Sequence, residues 1–315
     1  MSIDHIDLGL CCINMTLREQ KPSIFVNRTC RLTTAKEKGL EYVKKLAIEN
    51  VKDCLKLIEW NEKNGIRSYR LSSDMFPHLS NPSYPDYDYS LDFAKEALYD
   101  IGAKAYEYRQ RLSMHPGQYN QIGAESEDVF EKTVLDLRCH ADKLDIIEED
   151  LDFEENRGII CIHGGGMYGD KEKTIERWCE NFYRLPENVQ SRIAIENCEK
   201  CYNTEDCLKI SKRLNIPVIF DIHHYECYKI LHPERKEEPI VPIEKTLKKV
   251  FKSWHRRGLK PYCHISEQGK GRIGHHSDYI SKIPDCFLNV QENFTLDVEA
   301  KMKEKAIFKL KKNYE

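Results

Sequence analysis

Six short apolar runs in this chain, RLSMH, GIICIH, RIAIE, VIFDIHH, PYCHIS and FTLDVE, each finish on or beside a side chain that can bind a metal ion. The residues so placed are His115, His163, Glu196, Asp221, His224, His264 and Glu299, with His276 a few positions beyond PYCHIS. One polar side chain at a strand end says little. The same placement repeated along a sequence converges on one mouth of one barrel, because the C-terminal ends of parallel strands in a closed barrel open on a common rim. Imidazole mixed with carboxylate suits zinc, manganese or iron. The pattern therefore predicts an α/β fold, a (β/α)8 TIM barrel with a polynuclear metal site at its C-terminal rim, and hence an enzyme.

The segments between these runs supply the rest of such a barrel. Ile6 to Ile13 reads as a first strand, followed by a helix on which Leu40, Val43, Leu46, Ala47, Val51, Leu55 and Ile58 recur at helical spacing. A second strand covers Ser68 to Ser72, and a loop rich in Pro, Tyr and Asp (Pro77 to Asp88) leads to a helix that Ser90 can cap. The third strand ends at His115, and Ser126 can cap the helix carrying Val129, Leu137, Ala141 and Leu144. Strands four to eight end near His163, Glu196, Asp221, His264 and Glu299. Short strands of nearly continuous apolar character fit burial on both faces. An open doubly wound sheet would share that look, but it gathers its site at one crossover, whereas these side chains are spread over six strand ends. A chain of 315 residues is the size of one barrel, so residues 1–315 are expected to form a single domain, with no linker or repeat to suggest a second.

Composition narrows the functional classes. No apolar run reaches the length of a membrane span, so no membrane partner is expected. MSIDHIDLGL has no basic stretch followed by a long apolar one, which argues against a secreted protein. Thirteen cysteines, odd in number and scattered, do not form a disulfide framework. They fit a reducing intracellular setting, the cytoplasm, the nucleus or a viral factory. The one C-x-x-C, Cys198 to Cys201, has no second pair at zinc-ribbon spacing and is given no role. A net charge of -3 does not suit a protein that holds nucleic acid by bulk electrostatics. Three divalent ions would turn it into a net positive charge concentrated at one place.

Three local arrangements sharpen the metal reading. In Asp221-Ile222-His223-His224, residues three apart fall on opposite faces of a regular strand, so Asp221 and His224 can serve one centre only if the strand ends between them. His163 is followed by Gly164, Gly165 and Gly166, which would let backbone approach a bulky ligand such as a phosphodiester. Glu196 ends an otherwise apolar strand, where an unpaired charge would be costly unless a cation met it.

Taken together, HPGQY (His115 to Tyr119), YRLSSDMFP (Tyr69 to Pro77), IHGGG, AIEN, DIHH, HSDYI (His276 to Ile280) and DVEAKMKEKA resemble the UV damage endonucleases along nearly the whole chain. The resemblance implies a barrel related to the endonuclease IV type, a cluster of two or three divalent ions, manganese first with zinc or magnesium as alternatives, and nicking of double-stranded DNA immediately 5′ to pyrimidine dimers and other distortions. It implies that His115, His163 and Glu196 hold one ion, that Glu196 bridges to a second shared by Asp221, His264 and Glu299, and that His224 and His276 hold the third. Gln118 and Tyr119 would probe the lesion and Asn14 would contact DNA backbone near the cut. Two positions depart from the family pattern. Tyr262 stands two residues before His264 where the family has a lysine, and HLSNP offers His78 and Asn81 where many members have one histidine.

On this reading Glu196 and Glu299 are the catalytic carboxylates, acting by bridging ions and orienting water rather than as free acids or bases. The protein is expected to work as a monomer. The alternatives are an abasic-site endonuclease of the endonuclease IV type, a metal-dependent sugar isomerase or epimerase, and a non-catalytic damage-binding protein.

Overall fold

The computed structural model describes residues 2–235 and 241–315. Its eight strands are β1 Ile6–Cys11, β2 Ser68–Leu71, β3 Arg111–Met114, β4 Ile159–His163, β5 Ile193–Glu196, β6 Val218–Asp221, β7 Tyr262–Ile265 and β8 Phe294–Val298. They pair in sequence order, β8 returns to β1, and every pairing is parallel, so the sheet closes into a barrel. Helices Leu40–Lys63, Lys95–Glu107, Glu127–Ile147, Lys171–Phe182, Thr204–Leu214 and Ile243–His255 lie between successive strands. Only the short helix Asp285–Leu288 separates β7 from β8. This is the (β/α)8 architecture the strand ends predicted. No helix among the described residues is long and apolar enough to cross a membrane, and the thirteen cysteines are all free.

Helix and strand are tied by side chains as well as by packing. From the helix Ile243–His255, Ser253 Oγ accepts the Val218 N–H at 2.9 Å and Trp254 Nε1 donates to the Val218 carbonyl at 2.7 Å. Both polar groups at the start of β6 are thereby satisfied inside the protein. Two capping expectations are corrected. Ser126 occupies the N-cap of its helix without a side-chain hydrogen bond, and Ser90 Oγ accepts from Asp92 N of a 3-10 turn, Asp92–Ala94, that precedes the helix proper. The first strand also stops at Cys11 rather than Ile13, because Cys12 takes a left-handed backbone with φ 62°.

One face of the strands departs from the usual barrel filling of branched apolar side chains. Alternation along each strand places Gly9 and Cys11 on one face, and likewise Ser68 with Arg70, Arg111 with Ser113, Tyr262 with His264, and Thr295 with Asp297. These residues touch across the barrel, as when Ser113 Oγ meets Tyr262 Oη at 2.9 Å and Ser68 Oγ donates to Asp297 at 3.2 Å. The lumen is thus polar along β1–β3, β7 and β8, while on β4–β6 the same face carries Ile159, Cys161, Ala194 and Ile219 below the rim, and the outward faces, Leu8, Tyr69, Leu112, Ile160, Ile195, Phe220, Cys263 and Leu296 among them, pack under the helices.

At the opposite end from the predicted site, Arg192 precedes β5 and is 4% exposed. It donates to Asp145 at 2.8 Å, to Glu148 at 2.6 Å and to the Gly158 carbonyl at 3.0 Å, tying the helix Glu127–Ile147 to the entrances of β4 and β5. Removing one partner of a buried pair strands the other's charge, at a cost of about 3–5 kcal/mol. Arg192→Met should lower the unfolding free energy by roughly that amount, measured by urea denaturation, without changing the side chains at the C-terminal rim.

Candidate metal centre

Glu196 organises the C-terminal rim. It ends β5 with no exposed surface. Its Oε2 lies 2.8 Å from His115 Nε2 and 3.6 Å from His163 Nε2. Its Oε1 lies 2.8 Å from His264 Nδ1 and 3.4 Å from His224 Nδ1. Strand register makes part of this geometry, because His163 pairs directly with Glu196 across β4 and β5 and Asp221 pairs with His264 across β6 and β7. Burial alone would raise the Glu196 carboxyl pKa. The surrounding imidazoles, His264 first, outweigh burial and hold it well below the usual carboxylate range.

β6 ends at Asp221 and the helix Ile222–Leu231 begins with the next residue, so the strand does stop between Asp221 and His224. Asp221 Oδ1 caps that helix by accepting His224 N at 2.7 Å. Asn197, next to Glu196, holds Asp221 by two hydrogen bonds, donating to its carbonyl at 2.9 Å and accepting its N–H at 3.0 Å. The Asn197 carbonyl also accepts from His224 Nδ1 at 3.0 Å, which leaves Nε2 as that ring's free nitrogen. Burial pulls the His224 imidazole down, but Asp221 and Glu196 hold its pKa well above the usual value. Burial dominates at His163, pushed down to about 4, so its ring is neutral near pH 7.

Four groups of three ligand atoms each lie within 4.8 Å of one another: His115, His163 and Glu196; Cys161, Glu196 and His264; Glu196, Asp221 and His224; Asp221, His264 and Glu299. Buried atoms without hydrogen-bond partners, His163 Nδ1 and Asp221 Oδ2, lie among them. Such atoms are expected where an ion would complete the site, and the mixture of imidazole and carboxylate suits a first-row divalent metal. The residues present therefore fit a metal cluster. His276 belongs to none of the four groups. It reaches the rim through Glu299, 3.7 Å away, and its ring centroid lies 6.3 Å from that of His224.

The positions expected to meet DNA, and the two departures from the family pattern, divide. Tyr119 is 67% exposed and its hydroxyl donates to Asp136 at 3.4 Å, so the phenol end is tethered while the ring faces outward. Gly117 makes this possible, since a Cβ there would sit 2.4 Å from Tyr119 Cε1. Gln118 is exposed beside it. Asn14 is buried and its Oδ1 caps the turn Met15–Arg18 by accepting Leu17 N at 2.8 Å, leaving Nδ2 without a partner. His78 Nε2 donates to the Cys30 carbonyl at 3.0 Å with Asn81 beside it at 3.5 Å, and neither belongs to a ligand group. Tyr262 is wholly buried, with its hydroxyl on Ser113 and Asp297.

Several residues were not picked out from the sequence. Cys161 Sγ lies 3.0 Å from Glu196 Oε2, and its place two residues before His163 on the same strand face was the available signal. Arg70 donates to His264 Nε2 at 2.8 Å and pairs with Glu299 at 2.5 Å, contacts between β2 and distant strands that nothing local announces. Tyr168, 40% exposed, joins Tyr119 as an outward aromatic in the loops of this rim.

Residues 6–315 match the model of the family described as UV-endonuclease UvdE. The chain is 39% identical over 317 residues to a protein of Acanthamoeba polyphaga mimivirus whose name assigns it to the UV-damage endonucleases, covering 98% of this chain and 92% of that one. It is 35% identical over 315 residues to the UV-damage endonuclease of Schizosaccharomyces pombe, covering 98% of this chain and 50% of the yeast protein, so it spans about half that relative's length. The solved structure of SacUVDE superposes with a TM-score of 0.82 at 29% identity, covering 98% of each chain.

Metal binding should be linked to protons at His224. Its pKa is raised in the ion-free site, so near pH 7 the ring carries a proton that an ion at Nε2 must displace. Titration of the chelator-treated protein with Mn2+ in calorimetry buffers of different ionisation enthalpy should reveal net proton release, and affinity should fall as pH is lowered. Heats independent of the buffer would remove His224 from the ligand set.

Proposed function

The chain belongs to the UV-endonuclease UvdE family, and from that we propose a DNA-repair endonuclease that hydrolyses the phosphodiester 5′ to UV photoproducts and other helix-distorting lesions with the help of divalent ions. The observation that carries this reading is the convergence of His115, His163, Glu196, Asp221, His264 and Glu299 into overlapping ligand groups on one rim. One ion falls to His115, His163 and Glu196, and a second to Asp221, His264 and Glu299. Glu196 and Asp221 place His224 beside both, and His276 approaches through Glu299. When bound, such ions neutralise phosphate oxygens and acidify coordinated water. Glu196, which is buried, and Glu299, which is partly exposed, would be the carboxylates that hold the ions and orient water; the imidazoles, His264 first, keep Glu196 ionised, and Arg70, then His264, keep Glu299 so.

The loops supply the contact with duplex DNA. The segment after β7 exposes Lys270 and Arg272 and is folded back by pairing of Gln268 with His276, which sets basic side chains beside the rim despite the net charge of -3. Tyr119 and Gln118 form the lesion probe, Tyr119 by stacking and Gln118 by hydrogen bonding to an orphaned base. Asn14 has only its Nδ2 to offer a DNA backbone, as its oxygen is used in capping. Manganese is the proposed ion, and one barrel over 1–315 working as a monomer is the proposed unit.

The deciding assay incubates dimer-containing, abasic and intact duplexes with the protein, with Mn2+ and with chelator. Nicking 5′ to the dimer that chelator abolishes is expected. Efficient cutting of the abasic duplex alone would move the assignment to an abasic-site enzyme, and binding without nicking would remove the catalytic claim. Glu196→Gln should abolish nicking, because each of the three ligand groups that include it loses a carboxylate. Base stacking contributes about 1–3 kcal/mol, so Tyr119→Ala should reduce discrimination between damaged and intact duplex by roughly tenfold while metal content is unchanged. Equal losses on both duplexes would show that Tyr119 supports its loop and reads no lesion.

A further inference from the structure

Directly beneath the rim lies a carboxylate that belongs to none of the ligand groups. Asp297, on β8, has no exposed surface. Its Oδ1 accepts from Ser68 Oγ at 3.2 Å, and its Oδ2 meets the Tyr262 hydroxyl, Cys11 Sγ at 3.6 Å and Arg70 Nη2 at 3.3 Å. Space for it is made by Gly9 on the neighbouring strand, where a Cβ would lie 1.8 Å from Asp297 Oδ1. The Arg70 guanidinium is shared. The same Nη2 donates to His264 Nε2 at 2.8 Å, and Nη1 pairs with Glu299 at 2.5 Å. A buried cation therefore touches two candidate ligands from below, and Asp297 is its one carboxylate partner outside the ligand groups.

The electrostatic consequence has a sign. Leaving the histidines aside, Glu196, Asp221, Glu299 and Asp297 are four carboxylates against one guanidinium, a formal charge of -3. Without Asp297 the guanidinium would be matched only by Glu299, and the anionic charge open to an ion would fall. Without Arg70 it would rise. In a dry barrel these charges are weakly screened, so either change reaches the ligands above.

We propose that Asp297 is a positioning residue that holds Arg70 by a carboxylate of its own, and thereby preserves the affinity of the Asp221, His264 and Glu299 group for a divalent ion. The Ser68, Tyr262 and Cys11 contacts fix the carboxylate, and the carboxylate offsets the guanidinium charge that sits against His264 and Glu299. This rests on the metal reading of the rim given above.

The test is Mn2+ titration of the chelator-treated full chain without DNA, followed by calorimetry, with folding checked by circular dichroism. Asp297→Asn should weaken one class of Mn2+ site by ~10–100-fold, the range typical for lost outer partners of metal ligands. Arg70→Met should leave that site as tight as wild type or tighter, and the double variant, which deletes a neutral pair, should return close to wild type. A purely structural role would weaken binding in both single variants and more in the double, and that result overturns the proposal. If Asp297→Asn does not fold, Arg70→Met and the double variant decide the matter by the same signs. Wild-type protein that takes up no Mn2+ overturns the metal reading and this inference with it, whereas normal uptake with Asp297→Asn unchanged overturns this inference alone.

Discussion

A carboxylate stripped of water needs positive charge close by, and at Glu196 that requirement shapes the whole upper half of the barrel. Four imidazoles, from β3, β4, β7 and the helix after β6, stand within 3.6 Å of its two oxygens. None of them could be placed there by local structure alone. The closed parallel sheet does it, because the register fixes which strand ends are neighbours and the closure brings β3 and β7 across from one another. A cluster of ions held by the ligand groups would replace some of that charge by a stronger and more directional form of it.

The polar lumen follows from the same requirement. A rim of ionised side chains above a floor of branched hydrocarbon would face a low dielectric on its inner side, with nothing to offset its charge. Here Arg70, Asp297, Tyr262, Ser68 and Ser113 continue the polar network downward to Arg111, whose guanidinium lies 5.0 Å from the rings of both Tyr262 and Trp254. Apolar packing is carried by the outward strand faces, the helices and the inward Ile159, Ala194 and Ile219 of β4–β6. The barrel thus separates its two tasks by face as well as by end: cohesion outside and at the entrances of the strands, charge inside and at their exits.

The sequence disclosed the barrel because eight apolar segments ended alike, and each strand end fell within about two residues of its expected place. Ligands in series with a strand, His163, Glu196 and Asp221, were readable because a polar residue at the end of an apolar run is locally conspicuous. Cys161 was hidden by being chemically ordinary in a strand, although its spacing from His163 was visible. Arg70 and Asp297 were hidden for another reason. Each is meaningful only beside the other, and they stand 227 positions apart, so their pairing exists in the closed sheet and nowhere in the chain. Tyr262 looked like a simple loss of a lysine, whereas its hydroxyl has a definite place on Asp297 and Ser113. His276 was grouped with His224 from a family pattern; its ring centroid lies 6.3 Å from that of His224 and its Nε2 lies 3.7 Å from Glu299.

Asp221 performs two jobs with two oxygens. Oδ1 closes the first turn of the helix Ile222–Leu231, while Oδ2 lies among the ligand atoms without a hydrogen-bond partner. Fraying of that helix from its N-terminal end would release the side chain that the centre shares, and would carry His224 away with it. The lifetime of an ion held there would therefore be bounded by how often one helical turn opens, a local event far cheaper than global unfolding. Metal exchange in such a site would in that sense be a question of secondary-structure breathing as much as of coordination chemistry.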